Sequence, residues 1–284
     1  MTQDSYLLLN ELISERLGIE FPEHRKELLE SRLRPRVESL RLPGYWEYYL
    51  HLRADTNGER HRLAELVTNN ETFFFRETRQ LDCFLAEAVA ELTPAGGTPR
   101  VLCAGCSSGE EPYTLAILAC EHGGGRALSV DAFDVDPRRI EAARRAEYGP
   151  GSLRQLTPGQ VERYFDALGN VCDGDGDGDG HGGRWSLREP FRRGVRFDWG
   201  NIVDLATFPA GAPYDAVFCR NVLIYFSPQT LRRAVRNFAE VLRPGGLLFL
   251  GASESIIGLS DRFETVRLSG TIAYRRTGRA GGTA

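Results

Sequence analysis

Two consecutive glutamates, Glu110 and Glu111, stand where an apolar run at residues 101–104 passes through a glycine-containing turn into a helical pattern. In open α/β sheets, such a turn at the carboxyl end of a strand is where nucleotide-like ligands bind. The G-x-G-x-x-G fingerprint of dinucleotide sites is absent, so a pyrophosphate is not indicated. Adjacent carboxylates favour a cationic ligand, such as a sulfonium or an amine; the alternative is that they only complement the helix dipole.

A second acidic position, Asp134, ends the next strand pattern along the chain. A carboxylate at that edge can accept hydrogen bonds from both hydroxyls of a ribose. Asp136 precedes Pro137 and is better interpreted as the N-cap of the following helix. Asp131 stands near the start of the strand, away from the edge. We therefore expect Asp134 to bind a ribose.

A third strand pattern, at residues 214–219, is followed by Arg220 and Asn221, which should reach the same edge of the sheet. Many enzymes that methylate the amino groups of bases carry Asn/Asp-Pro-Pro-Tyr at this point. An arginine there favours an anionic acceptor instead; the alternative is an arginine that points to solvent. The sulfonium and amino group of S-adenosylmethionine are an example of the cationic ligand that Glu110 and Glu111 favour.

The elements that must position these residues form an α/β pattern. Beyond residue 99, short apolar runs alternate with helical patterns, which is typical of a parallel sheet flanked by helices. Before residue 99 only helical patterns occur, the first of them with Asp4 or Ser5 as N-cap and Gly18 as its stop. Pro35 should kink the second helix or shift its boundary. Helices are predicted up to Leu17 and at 22–40, 46–52, 60–67, 78–92, 112–122, 138–148 and 228–242, and strands at 100–103, 129–133, 215–219, 247–250 and in a closing hairpin at 263–276.

The stretch from about residue 153 to 197 fits neither pattern. Strand candidates at residues 184–187 and 194–197 predict a small inserted antiparallel β-subdomain. Between a short helix near residues 160–165 and these strands lies a Gly-Asp repeat. Its alternating aspartates suggest calcium, but the bidentate glutamate that completes an EF-hand loop is missing, so we expect a flexible acidic loop. The repeat contains Asp173, Asp175, Asp177 and Asp179.

These motifs, together with the segment at residues 68–76, resemble those of the CheR family, the protein-glutamate O-methyltransferases of bacterial chemotaxis. The family's Asn-x-Thr-x-Phe-Phe-Arg matches Asn70, Thr72, Phe74, Phe75 and Arg76. Its Gly-Glu-Glu-Pro-Tyr and Cys-Arg-Asn-Val-x-Ile-Tyr-Phe are also intact. The resemblance covers nearly the whole chain.

The resemblance implies a Rossmann-like class I methyltransferase sheet with an N-terminal all-helical domain and a small inserted antiparallel β-subdomain. The domains would be residues 1–76 (helical), 77–98 (connecting helix and linker) and 99–284 (methyltransferase, with the insertion at about 153–197). S-adenosylmethionine would be the cofactor and S-adenosylhomocysteine the product. The implied catalytic residues are Arg76, Arg220 and Tyr225. The implied cofactor contacts are Asn70, Thr72, Arg76, Glu110, Asp134, Asn201, Ile202, Arg220 and Asn221.

The implied partner is the cytoplasmic helical region of methyl-accepting chemotaxis receptors. Arg25, Arg32 and Arg36 lie within a stripe about 40° wide on the second predicted helix. We expect this stripe to dock a glutamate-bearing receptor helix, since the family recognises its substrate there; the alternative is an ordinary solvated face. The family does not fix whether the β-subdomain of this member binds a receptor C-terminal peptide, or whether the pathway is chemotaxis or another with the same chemistry.

Composition and charge exclude other classes. The net charge of -4 argues against broad adhesion to nucleic acid. The N-terminus lacks a cationic region, and Asn10, Glu11 and Glu15 interrupt its first apolar run, so we expect a cytoplasmic protein without membrane insertion. Cys103 and Cys106 form a C-x-x-C without a second pair, which favours packing residues over a zinc or redox site, and we expect no metal.

The chemistry implied by the resemblance needs no general base. The side chain of a glutamate ordinarily has a pKa of about 4.3 and is already a carboxylate at neutral pH. No histidine falls within the motifs, which agrees with this chemistry. Two alternatives are a methyltransferase that acts on RNA or a small molecule, and a degenerate member that binds the cofactor or its product as a regulatory partner.

Overall fold

The N-terminal part of the chain is all-helical, as predicted. The computed structural model describes residues 1–54, 58–93, 97–122, 127–169 and 183–278. Within them, a 3₁₀ turn at Glu23–Arg25 precedes the second helix. The first four helices are α1 (Gln3–Leu17), α2 (Lys26–Ser39), α3 (Tyr45–Ala54) and α4 (Glu59–Val67).

The ends of α1 follow local signals. The N-cap is Thr2 and not the predicted Asp4 or Ser5. The Thr2 hydroxyl accepts a hydrogen bond from the backbone N–H of Ser5 at 3.3 Å. Gly18 adopts a left-handed φ of 80° and ends it, as expected of a glycine C-cap. A Cβ on Gly18 would lie 2.7 Å from Cγ2 of Thr230, so this glycine also lets α1 approach the C-terminal half of the chain.

The helix α2 continues through Pro35, and its boundary does not shift there. Leu29, Leu33 and Val37, on both sides of the proline, are buried in one cluster with Leu9 of α1. Burial of this apolar face offsets the hydrogen bond that a proline removes from a helix. The four helices therefore share one hydrophobic core.

A connecting helical stretch, predicted at residues 78–92, joins the helical part to the sheet. It consists of α5 (Arg79–Cys83), a π-helical turn (Phe84–Ala88) and α6 (Val89–Leu92). Phe84 of this stretch is buried against Phe218 and Phe249 of the sheet, with ring centroids 5.4 and 5.7 Å away.

The strands of the described residues form two sheets. The strands are β1 (Arg100–Ala104), β2 (Ser129–Asp134), β3 (Glu147–Tyr148), β4 (Phe165–Gly169), β5 (Arg184–Leu187), β6 (Val195–Trp199), β7 (Tyr214–Cys219), β8 (Leu242–Leu250), β9 (Phe263–Leu268) and β10 (Thr271–Arg276). The main sheet has the order β6-β2-β1-β7-β8-β10-β9; its first five strands pair in parallel, and the predicted hairpin β9–β10 closes it antiparallel.

Both faces of the main sheet are buried. Val101 and Cys103 of β1 face one core cluster, whereas Leu102 and Ala104 face the other, as the alternation of side chains along a strand requires. No helix of the described residues is long and apolar enough to cross a bilayer. The remaining helices are α7 (Glu110–Glu121), α8 (Pro137–Arg145), α9 (Pro150–Leu153), α10 (Pro158–Tyr164), α11 (Glu189–Arg192) and α12 (Pro228–Val241).

The small antiparallel sheet has the order β3-β5-β4. The prediction that residues 194–197 belong to this insertion is wrong, because β6 pairs in parallel with β2 from Val130 and Val195 to Asp134 and Trp199. A short apolar run does not reveal its partner strand, and here the partner is distant in sequence. The Gly-Asp repeat lies outside the described residues, so the predicted acidic loop is not tested.

Candidate cofactor-binding and catalytic site

A cleft opens where β1, β2 and β7 end. β1 lies between β2 and β7 in the sheet, so the edge between β1 and β7 is a topological switch point, where open α/β sheets bind ligands. The empty space of the cleft is about 980 Å³ with its open mouth included. Leu17 and Ile19 of the helical part form some of its wall. The predicted site residues in the wall are Asn70, Thr72, Arg76, Asp134, Asn201, Ile202, Arg220, Asn221 and Tyr225.

Asp134, at the end of β2, is almost fully buried in this wall. One of its oxygens accepts a hydrogen bond from the backbone N–H of Ser107 at 2.8 Å, and the other accepts from Asp136 N–H at 2.9 Å. Burial raises the pKa of Asp134 to about 6, although these backbone bonds act in the opposite direction. Each oxygen keeps a lone pair for a further donor.

Asp136 caps α8, as predicted. Its Oδ1 accepts hydrogen bonds from the backbone N–H of Arg138 at 2.9 Å and of Arg139 at 3.3 Å. Its Oδ2 accepts a hydrogen bond from Asn70 Nδ2 at 3.1 Å. The Asn70 amide also donates to the Thr68 hydroxyl at 3.0 Å, so the capping aspartate fixes the orientation of a predicted site residue.

The two adjacent glutamates point in different directions. Glu110 is buried away from the cleft, and its carboxylate accepts hydrogen bonds from the hydroxyls of Ser108 and Ser152, each at 2.8 Å. Glu111 lies in the cleft wall instead. Burial raises the pKa of both glutamates. The structure thus places Glu111, which was not chosen as a contact from the sequence, where Glu110 was expected.

Arg220 is a buried clamp rather than a free cation. Its Nη1 lies 3.0 Å from Oε2 of Glu111, and its Nη2 lies 3.3 Å from Oε2 of Glu77. The same Nη2 donates to the carbonyl oxygens of Arg76 at 2.9 Å and of Glu77 at 3.2 Å. Arg220 therefore holds the backbone at Arg76 and Glu77, and two carboxylates already share its charge.

Arg76 presents its charge at the cleft. Its Nη1 donates to the carbonyl oxygen of Glu71 at 2.9 Å, and its guanidinium lies 5.6 Å from the centroid of the Phe73 ring. Among the described residues, no carboxylate lies within ion-pair distance of it. Arg154, whose guanidinium lies on the same ring at 3.8 Å, is instead paired with Glu71 at 2.9 Å. The Arg76 guanidinium is therefore available to an anion.

Tyr225 joins the helical part to the sheet part. Its hydroxyl oxygen accepts a hydrogen bond from Asn69 Nδ2 at 2.7 Å, and its carbonyl oxygen accepts from Glu20 N–H at 2.9 Å. The bond from Asn69 occupies one lone pair and leaves the hydroxyl proton free to donate. Asn69 was not predicted from the sequence, because its role depends on a residue far away in the chain.

Asn201 also lies at this junction. Its Nδ2 donates to the carbonyl oxygen of Arg16 at 2.6 Å, and its Oδ1 accepts from the backbone N–H of Val203 at 3.1 Å. The carbonyl of Ile202 accepts from Asn237 Nδ2 at 2.8 Å. Although Asn201 and Ile202 line the cleft, the Asn201 side chain uses its polar groups to hold α1 against the sheet part.

The three arginines of the expected docking stripe have different surroundings. Arg36 pairs with the buried Glu59, and Arg32 donates to the carbonyl oxygen of Val67 and has its pKa lowered by burial. Arg25 belongs to the 3₁₀ turn before α2 and is exposed. Two of the three arginines thus stabilise the helical core, and a substitution there would change more than a surface charge.

Comparison with known proteins covers almost the whole chain. The family model described as "CheR methyltransferase, all-alpha domain" matches residues 4–68, and "CheR methyltransferase, SAM binding domain" matches residues 70–272. The chain is 36% identical to a chemotaxis protein methyltransferase of Klebsiella aerogenes, over 90% of this chain and 84% of that protein. Its identity to chemotaxis protein methyltransferase 1 of Pseudomonas aeruginosa is 32%, over 94% and 96% of the two chains.

A third relative is named for biofilm formation rather than for chemotaxis. The chain is 33% identical to a probable biofilm formation methyltransferase of Pseudomonas aeruginosa, over 95% of this chain and 61% of that protein. The family models fit the observed division into a helical part and a mostly parallel sheet with a cleft at its carboxyl edge. The chain therefore belongs to the CheR family and is an S-adenosylmethionine-dependent methyltransferase.

Proposed function

We propose that this protein transfers the methyl group of S-adenosylmethionine to glutamate side chains in the cytoplasmic helical region of chemoreceptors, forming methyl esters. The observation that carries this proposal is the guanidinium of Arg76, which lies in the cleft wall without a carboxylate partner among the described residues. A carboxylate acceptor supplies that partner, and a charge-assisted hydrogen bond to arginine would orient it.

The charge of the cleft suits the cofactor. Arg220 carries one positive charge between the carboxylates of Glu111 and Glu77, so this cluster favours a cation beside it. Asp134 keeps lone pairs for the two ribose hydroxyls, and the oriented Asn70 amide offers a further contact. Bound there, S-adenosylmethionine supplies a methyl group on a sulfonium sulfur.

The residues of the chain then have to align the acceptor. Methyl transfer from a sulfonium is an in-line displacement, which depends on holding the nucleophile close and correctly oriented. A glutamate is already ionised at neutral pH, and no histidine occurs among the described residues of the cleft wall. Arg76 and the free hydroxyl proton of Tyr225 would orient the carboxylate, with Asn69 fixing the direction of that hydroxyl.

Two other functions predict different products. A methyltransferase for RNA or a small molecule would leave the receptor unlabelled, and a regulatory member that only binds the cofactor would label nothing. Retention of Arg76 and Tyr225 in the cleft wall supports a catalytic member. The proposed acceptor chemistry predicts a carboxyl ester, which base hydrolyses to methanol.

The test uses purified protein, S-adenosylmethionine tritiated in its methyl group, and membranes that contain the chemoreceptors of the same organism. We expect base-labile, volatile label on the receptor, formed about a hundredfold more slowly when Arg76→Ala replaces the wild type. Base-stable label, or label that appears only on added RNA or small molecules, would refute the proposal.

A further inference from the structure

One carboxylate outside the predicted site holds the loop that follows β7. Glu254, in the loop after β8, accepts hydrogen bonds from five backbone N–H groups in two separate segments. Its Oε1 accepts from Val222 at 2.9 Å, Leu223 at 2.6 Å and Ile224 at 3.3 Å, and its Oε2 accepts from Asn221 at 2.9 Å and Gly251 at 2.6 Å.

The held loop carries much of the cleft wall. Asn221, Val222 and Tyr225 all line the cleft, and Leu223–Tyr225 forms a 3₁₀ turn. The first N–H groups of such a turn have no partner within it, so an outside acceptor has to satisfy them. Asn221 also has a left-handed φ of 61°, a conformation that asparagine adopts more readily than most other non-glycine residues. The Glu254 carboxylate satisfies the N–H groups and holds the backbone in this conformation.

The approach of the two strand ends requires a glycine at position 251. A Cβ there would lie 2.8 Å from Oε2 of Glu254 and 2.9 Å from the backbone nitrogen of Asn221. Glu254 therefore bridges the end of β8 to the end of β7 at a point where nothing larger than glycine fits. One acceptor therefore links the two strand ends.

We infer that Glu254 is a positioning residue for methyl transfer: it sets the backbone from Asn221 to Tyr225, so that Asn221 meets the cofactor and the Tyr225 hydroxyl meets the acceptor. The part that concerns the acceptor rests on the proposed function. The part that concerns the cofactor rests only on the position of Asn221 in the cleft. The two parts have separate measurements.

The test compares Glu254→Gln with a matched control, Asp131→Asn. In Glu254→Gln an amide NH₂ faces backbone donors, so part of the bridge is lost without a change of shape. Asp131 is a buried carboxylate on β2, outside the cleft, with several partners of its own. Its substitution should lower the melting temperature without moving the loop. Its partners are Arg100, Arg196 and Tyr214.

Below the melting temperature of both variants, we expect Glu254→Gln to bind S-adenosylhomocysteine about tenfold more weakly and to lose kcat about tenfold or more, with a smaller change of KM for receptor. Asp131→Asn should keep both values. Glu254→Asp, which retains the charge but is shorter, should fall between Glu254→Gln and wild type. It also replaces Glu254→Gln in the comparison if that variant does not fold.

The result that overturns the inference is unchanged S-adenosylhomocysteine affinity and kcat in a folded Glu254 variant, or an equal loss in Asp131→Asn. Failure of the proposed function looks different. In that case the wild type binds S-adenosylhomocysteine but does not label receptor, while the affinity difference between Glu254→Gln and Asp131→Asn remains.

Discussion

Protonation of Asp134 should weaken cofactor binding below about pH 6. The structure gives this carboxylate two backbone donors and a buried position, and burial raises its pKa to about 6 from an ordinary value of 3.8. The ribose hydroxyls donate hydrogen bonds to this carboxylate. A protonated carboxyl group is a weaker hydrogen-bond acceptor for two donors. Affinity for S-adenosylhomocysteine should therefore fall as the pH drops through that value.

The magnitude follows from the titration. With a pKa of about 6, about one tenth of the groups are ionised at pH 5, so the affinity should be about tenfold lower there than at pH 7. Asp134→Asn removes the charge at all pH values and should weaken the binding free energy of S-adenosylhomocysteine by about 1.5–3 kcal/mol, because a charge-assisted hydrogen bond contributes that much. In the ligand-free protein, the free energy of unfolding depends on pH in the opposite direction from the ligand affinity. The folded state binds the proton more tightly, so the contribution of Asp134 to the free energy of unfolding falls as the pH rises from about 4 to about 6.

Calorimetry with S-adenosylhomocysteine between pH 5 and pH 8 measures both effects. We expect a pH-dependent affinity for wild type and for the control Asp131→Asn, and a low affinity that is nearly independent of pH for Asp134→Asn. If wild type binds equally well at pH 5 and pH 7, or if Asp134→Asn binds as tightly as wild type, the ribose is held elsewhere.

Four further predictions concern the acceptor side of the cleft and the helical part. Arg76→Ala should lower kcat/KM on receptor by about a hundredfold, because a charge-assisted contact is lost, with the thermal unfolding curve unchanged; a normal rate would remove Arg76 from the reaction. Tyr225→Phe and Asn69→Leu should each lower kcat by about two- to tenfold, and the double variant by no more than either, since both act through one hydroxyl; additive effects in steady-state kinetics would contradict this. Arg36→Glu should lower the free energy of unfolding by on the order of 3 kcal/mol in urea titrations, because it removes the cationic partner of the buried Glu59 and places a second negative charge beside it. Arg25→Glu should leave stability unchanged and reduce receptor methylation, with a smaller effect at high salt; a rate unaffected at low salt would show that Arg25 does not dock the receptor.

Local signals predicted most elements of the fold. Apolar runs and helical spacing identified β1, β2, β7 and β8, and the Asp136–Pro137 pair identified the start of α8. Such signals act over a few residues, so the sequence alone reveals them. The partner of β6 is a non-local property, and that is why residues 194–197 were assigned to the wrong sheet.

The sequence identified the segments that form the candidate site. It did not identify which way several of their side chains point. Glu110 and Glu111 are equivalent in type and adjacent, and only the position at which α7 begins decides which of them faces the cleft. Arg220 was expected to act on an anionic acceptor, but it meets Glu77 and Glu111, which are far from it in sequence. An angular count on one helix likewise did not reveal that Glu59 of α4 pairs with Arg36.

Peptide mapping tests most directly whether the methyl acceptor is a receptor glutamate. Receptor-containing membranes are incubated with the protein and S-adenosylmethionine, and mass spectrometry then locates the added methyl groups on receptor peptides. We predict methyl esters on glutamates of the cytoplasmic helices, formed about a hundredfold more slowly with Arg76→Ala and absent with S-adenosylhomocysteine in excess. Methyl groups on nitrogen or on other residues, or an unmodified receptor in the presence of a protein that binds the cofactor, would contradict this claim.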